Sequence, residues 1–164
     1  MNQITLICML FLMSCNLEKP TQFSELALKD SAYALNKESF TIKAILEKYK
    51  GKKIVIDVWA SWCGDCIRAL PAVRNLQKSY PNVVFLFLSV DTSKTAWKNG
   101  VRRFNLQGEH YNLPKGMKDG DFVDFINLGW IPRYMVIDET GKIALFKATS
   151  ASDSDIEKAL NTVL

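Results

Sequence analysis

Histidine is almost missing from this chain: His110 is the only one in 164 residues. Cysteine is scarce too, with Cys8, Cys15, Cys63 and Cys66 and no second closely spaced pair. A zinc centre usually takes four Cys, His or carboxylate ligands, so this inventory argues against a metal core. No apolar run approaches the roughly 20 residues of a membrane-crossing helix; residues 4–13 form a run about half that long. Internal repeats and low-complexity segments are lacking. Neither sign of charge dominates, since 21 Lys and Arg against 17 Asp and Glu leave a formal net charge of +4. The densest basic run, Lys48-Tyr49-Lys50-Gly51-Lys52-Lys53, sits where a helix should turn into a strand. It reads as a solvated turn rather than a nucleic-acid patch. What is present, 48% hydrophobic and 23% charged, suits one globular domain with a real core behind a short leader.

Residues 4–13 suit the apolar region of a secretory signal. Leu12-Met13-Ser14-Cys15 resembles a bacterial lipobox, in which Cys15 would be lipidated and become the mature N-terminus. Met1-Asn2-Gln3 departs from the usual signal by carrying no Lys or Arg. The alternative is a plain apolar N-terminus, disordered or partly buried. Residues 16–31 are polar and mixed, and they read as a tether to a domain over residues 32–164. Loss of Cys8 with the signal and lipidation of Cys15 would leave Cys63 and Cys66 alone. A bridge closing so short a loop constrains the unfolded chain very little. In an exported protein this pair is therefore redox-active rather than structural.

The pair stands in Trp59-Ala60-Ser61-Trp62-Cys63-Gly64-Asp65-Cys66, directly after the apolar run Ile54-Val55-Ile56-Asp57-Val58. A strand here delivers a Cys-x-x-Cys to the start of a helix. Positions i and i+3 of a first turn face the same side, so the sulfurs can close a small disulfide ring and open it again. The unpaired N–H groups and partial positive charge of a helix N-terminus favour a thiolate on Cys63, the species that attacks disulfides. Around the motif the pattern predicts a helix over residues 40–50 stopped by Gly51, a strand over 53–59 and a helix over 64–79 kinked at Pro71. A strand over 83–90 is apolar throughout, which marks burial on both faces. A helix over 93–104, capped by Ser93 or Thr92, precedes a loop-rich stretch over 105–120 and a short helix over 121–128. An antiparallel hairpin joins 134–138 to 142–146, and a last helix is capped by Ser152.

This order, together with the motif, resembles thioredoxin from about residue 32 to the C-terminus. The resemblance is strongest in the stretch from Asp57 to Cys66, in Pro71 and in Ile131-Pro132 before a strand. The long connection from Asp91 to Trp130 has room for an extra helix and strand. With the lipobox, it resembles the membrane-anchored TlpA-type thiol–disulfide oxidoreductases of bacterial envelopes. The resemblance implies an α/β, thioredoxin-like fold: a central mixed β-sheet flanked by helices, with an inserted element before the cis-proline strand. It implies Cys63 as the attacking thiol and Cys66 as the resolving one. It implies Asp57 as a buried acid beneath Cys66 that takes its proton, although TlpA-type proteins often carry another polar residue there. Pro132 would be the cis-proline that turns the Ile131 backbone towards substrate.

Trp62 would form an apolar wall beside Cys63, Trp59 and Trp130 core or groove lining, and His110 a surface or loop residue. Gly64 and Asp65 lie between the cysteines and would tune the redox couple. Asp65 stands where proline is commoner, and its charge opposes a Cys63 thiolate unless Arg68 pairs with it. No cofactor and no metal are expected. The implied activity is reduction of disulfides in envelope proteins, with a membrane thiol reductase as electron donor, a lipid anchor in the membrane and no nucleic-acid partner. The alternatives are an envelope disulfide oxidase or isomerase, and a copper-binding thioredoxin-fold module. The narrow cysteine spacing weighs against copper.

Overall fold

The computed structural model describes residues 19–163; the expected signal segment, Cys8 and the lipobox Cys15 lie outside them. In chain order the elements are α1 (Glu25–Lys29), β1 (Ser31–Ala34), β2 (Ser39–Thr41), α2 (Ile42–Lys48), β3 (Ile54–Trp59), α3 (Gly64–Ser79) and β4 (Val84–Ser89). They continue with α4 (Lys94–Arg103), β5 (Glu109–Asn112), α5 (Asp121–Phe125), β6 (Arg133–Ile137), β7 (Ile143–Ala148) and α6 (Ser154–Asn161).

The apolar run of β3 is buried along its whole length, which fits a strand covered on both faces. It pairs in parallel with β4, Ile54 opposite Val84 and Asp57 opposite Phe87. β4 pairs in parallel with β5, and β3 pairs antiparallel with β6, Asp57 opposite Tyr134 and Val58 opposite Arg133. One mixed sheet results, in the order β2-β1-β5-β4-β3-β6-β7. α3, α4 and α6 share one face. Arg74 of α3 donates to the Phe104 carbonyl after α4 at 2.8 Å, and the Tyr80 hydroxyl after α3 donates to Asn161 Oδ1 of α6 at 3.3 Å. α1, α2 and α5 cover the other face, with α1 packed on both of its companions.

Local chemistry sets the element ends. Cys63, Thr41, Ser93 and Ser24 each accept a backbone N–H from the first turn that follows. Gly51 lies at φ +85°, a conformation that favours glycine, and it ends the turn after α2. α3 continues through Pro71. The cap of α6 is Asp153, one residue beyond the expected Ser152.

Part of the expected tether is folded. Ser24 caps α1, Ala27 is fully buried, and Phe23 stacks on Phe122 with ring centroids 6.0 Å apart. Upstream, the Thr21 carbonyl accepts from the Ile143 N–H at 2.8 Å, so the chain pairs with the edge strand β7. The expected loop over 105–120 contains β5, which carries the β1–β2 hairpin on its free edge. No helix of the described residues is long and apolar enough to cross a membrane.

Candidate active site

β3 ends at Trp59, and a three-residue turn sets Cys63 at the head of α3. Cys63 and Cys66 are joined by a disulfide with their Cα atoms 5.3 Å apart. Cys63 is also the cap of the helix: its Sγ accepts the Cys66 N–H at 3.0 Å. The amide that serves the sulfur now would hold a thiolate after reduction. The Ile131–Pro132 bond is cis, and the Ile131 carbonyl oxygen lies 3.7 Å from Cys63 Sγ. An open cleft of about 330 Å³ runs over this point, walled by Trp62, Met117 and Trp130. Trp62 and Trp130 are each 62% exposed, whereas Trp59 is buried in the core. A hollow of about 590 Å³ at the far end of α3 includes neither cysteine.

Asp57 lies on the same strand two residues before Trp59 and is 3% exposed. Its neighbours across the ladder are Phe87 and Tyr134, and its Oδ1 has no hydrogen-bond partner. Burial without a cation pushes its pKa up to about 8. A carboxyl that changes charge so close to neutrality can take or return a proton under ordinary conditions. Arg133 alternates with Tyr134 and reaches the α5 side, donating to the Ile126 carbonyl at 2.8 Å. Asp57 therefore points to the other face, where α3 buries Cys66.

Asp65 and Arg68 form an ion pair on the exposed side of α3. Gly64 sits beneath it, and a Cβ there would meet Arg68 Nη1 at 3.2 Å. The expected surface position of His110 is corrected: it lies on β5, 8% exposed and stacked on Phe87 at 5.2 Å. Its Nε2 donates to the Leu106 carbonyl at 3.1 Å. Burial holds its pKa below the usual histidine value. β5 belongs to the sheet, so the ring is carried into the core with its strand.

Sequence reasoning missed the support beneath the cysteine turn. Asp91, fully buried after β4, accepts from the Ser61 N–H at 2.9 Å, the Ser61 hydroxyl at 2.6 Å and the Ser89 hydroxyl at 2.8 Å. Asn112 of β5 donates to the Asp91 carbonyl at 2.7 Å. Gly100 of α4 closes on the same turn, and a Cβ there would come within 2.7 Å of Ser61 Cβ. An aspartate ending an apolar run reads as a strand end, and its fixed partner is thirty residues away, so only the fold reveals the contact. Among the described residues no group of three or more His, Cys, Asp or Glu side chains gathers to hold a metal.

A mixed sheet, a disulfide at a helix N-terminus, a cis-proline facing it and a buried acid define a thiol–disulfide oxidoreductase of thioredoxin fold. The chain belongs to the Redoxin family, which it matches over residues 29–163. It is 29% identical over 122 residues to thioredoxin-like protein YneN of Bacillus subtilis, covering 73% of this chain and 69% of that one. It is 28% identical over 103 residues to thiol-disulfide oxidoreductase ResA of Bacillus cereus, covering 62% of this chain and 57% of ResA. The solution structure of a thiol-disulfide oxidoreductase from Bacteroides vulgatus is 33% identical, with a TM-score of 0.67 and 91% of each chain covered. Thiol:disulfide interchange protein DsbE from Chlorobium tepidum shares the fold at a TM-score of 0.67 and 17% identity, over 87% of this chain and 95% of DsbE.

Proposed function

We propose that this chain is a TlpA-type reductase of protein disulfides in the bacterial cell envelope, held to the membrane by lipid on Cys15. The observation that carries the reductase reading is the Cys63–Cys66 pair at the head of α3, opposite the Ile131 carbonyl in an open aromatic cleft. The leader, the lipobox and the isolation of this single pair support the envelope and the anchor.

In the reduced enzyme the Cys63 thiolate attacks a disulfide of the partner protein. A mixed disulfide forms, and the partner's other sulfur leaves with the electron pair and takes a proton from solvent. Cys66 then gives its proton to ionised Asp57 and attacks Cys63 Sγ. The Cys63–Cys66 bond forms, and the partner's remaining sulfur leaves Cys63 with the electron pair and takes a proton from solvent, so the partner departs as a dithiol. The Ile131 main chain and the walls of Trp62 and Trp130 hold the partner strand as an added strand is held at a sheet edge. Two electrons from a membrane thiol reductase restore the dithiol, and protonated Asp57 returns its proton to Cys66.

The test is trapping. Cys66→Ser should accumulate mixed disulfides through Cys63 in cells, Cys63→Ser should not, and the wild-type protein should reduce insulin. Trapping through Cys66 alone would reverse the thiol order. Tight Cu(I) binding with no insulin reduction would replace the reading by a copper module. Cys15→Ala should release the protein from membranes; mass spectrometry finding residues 1–15 intact on membrane-bound protein would remove the anchor.

A further inference from the structure

Four buried polar atoms without partners among the described residues belong to side chains on one face of the sheet: Asp57 Oδ1, Trp59 Nε1, His110 Nδ1 and the Tyr134 hydroxyl. Among the described residues Asp57 Oδ1 on β3 and the Tyr134 hydroxyl on β6 each lack a hydrogen-bond partner, and these residues are 3% and 1% exposed. Asp57 and Tyr134 are directly opposite in the β3–β6 register, so their side chains leave the sheet on the same side. Buried polar atoms are almost always satisfied by protein or ordered water. Two orphans so placed, with no hydrogen bond between them, suit one bridging water.

We propose that Tyr134 is a positioning residue of the proton-transfer step, its hydroxyl donating through one buried water to the Asp57 carboxylate. Tyrosine suits the part. Burial, and then the neighbouring Asp57, raise its own pKa, so the phenol keeps its proton across the working range. It can offer a hydrogen bond whenever Asp57 is charged. That bond favours the ionised carboxylate, which is the state that accepts a proton from Cys66. The step balances as before: the Cys66 S–H bond breaks, Asp57 gains the proton and the Cys66 thiolate attacks Cys63 Sγ. Tyr134 neither gains nor loses a proton; it sets how often Asp57 is ready.

Tyr134 is the orphan donor directly across the ladder from Asp57; Trp59 Nε1 is a second one, two residues along β3, and Trp59→Phe is the control that should leave the Asp57 midpoint unmoved. β4 offers Asp57 only Phe87, and His110 lies one strand further, engaged with Leu106. α3 contributes Cys66, and no charged side chain of α3, α4 or α6 is buried among the described residues. Asp91 is committed to Ser61 and Ser89.

The inference rests on the reductase reading, yet its main test needs no substrate. In the reduced protein, Tyr134→Phe should raise the Asp57 midpoint, followed by carboxyl carbon NMR, by about one unit, the scale of a hydrogen bond to a charge. Resolution of a mixed disulfide near neutral pH should then slow by up to about tenfold. In wild type, the Tyr134 ring carbon bearing the hydroxyl should titrate with the Asp57 midpoint. An unchanged midpoint in Tyr134→Phe overturns the proposal. So does equal slowing of resolution in an Asp57→Ala background, because that would be a structural effect. If insulin is not reduced at all, the reductase reading fails, while the Asp57 midpoint still decides the role of Tyr134.

Discussion

Asp57→Asn should stabilise the oxidised protein, and increasingly so as pH rises. The carboxyl has an ordinary pKa of 3.8 and a folded one of about 8. An acid raised in this way holds its proton in the folded state while the unfolded chain has already lost it. Its favourable contribution is complete below about pH 4 and is lost as pH rises to about 8; above that both states are ionised and the loss is constant. Roughly four units at about 1.4 kcal/mol each make the whole loss about 5–6 kcal/mol. Between about pH 5 and about pH 9 the wild-type protein should lose about 4 kcal/mol from this group alone. The variant keeps the shape of the side chain and has no such loss. Urea unfolding of the disulfide-bonded form reads the difference, since neither cysteine titrates there and His110 contributes equally to both proteins. The gain on substitution should therefore be about 4 kcal/mol larger at the higher pH. Parallel stability–pH curves for the two proteins would refute the reasoning, because they would mean that Asp57 ionises near its ordinary value.

Asp91→Ala removes the acceptor of three hydrogen bonds, two of them to Ser61. It should cost about 3 kcal/mol in urea unfolding and lower kcat/KM for insulin, because the turn before Cys63 loses its support; unchanged values in both would show that the turn is held otherwise. Asp65→Asn should lower the Cys63 pKa, read by thiolate absorbance, by less than about one unit, because Arg68 already pairs with the charge. Arg68→Ala should raise that pKa, and a shift of the opposite sign in either variant would show that helix and hydrogen-bond effects outweigh charge.

The central β3–α3–β4 unit was legible because each part is announced by strong local chemistry. Two long apolar runs and a cysteine cap left little choice, and α3 runs over 64–79 as the pattern predicts. The N-terminal hairpin was not legible. Its strands, Ser31–Ala34 and Ser39–Thr41, are short and mixed, and their pairing partner β5 reads Glu-His-Tyr-Asn. Such strands gain their stability from the ladder they join rather than from their own residues. α1 is only five residues long and depends on the buried Ala27 and on its packing, with the neighbouring Phe23, against α5. The active-site cysteines were legible from spacing alone. Asp57 and Pro132 needed the family resemblance, and Asp91, Arg133 and Tyr134 needed the fold, because each acts on a residue distant in sequence or on a neighbouring strand.

The buried polar residues show why such a site resists a purely local reading. Among the described residues the core admits Asp57, Ser89, Asp91, His110, Asn112 and Arg133. His110 apart, each belongs to the machinery around the disulfide. Ser89, Asp91 and Asn112 hold the turn before Cys63. Arg133, following the cis-proline, donates to the Ile126 and Asn127 carbonyls and so ties down the start of the segment that carries Trp130 and Ile131. Among the described residues its guanidinium has no carboxylate partner, and burial lowers its pKa. Apolar residues of similar shape would fill such positions at no loss of stability, since charges removed from water are rarely repaid in full. A fold that keeps a carboxyl and a guanidinium without ion-pair partners on neighbouring strands is less stable for it, and on the proposed mechanism it gains a fixed cleft over Cys63 and a carboxyl that titrates near neutrality on the face where Cys66 is buried. Departures from the core's apolar rule thus fall where thiol exchange makes its demands.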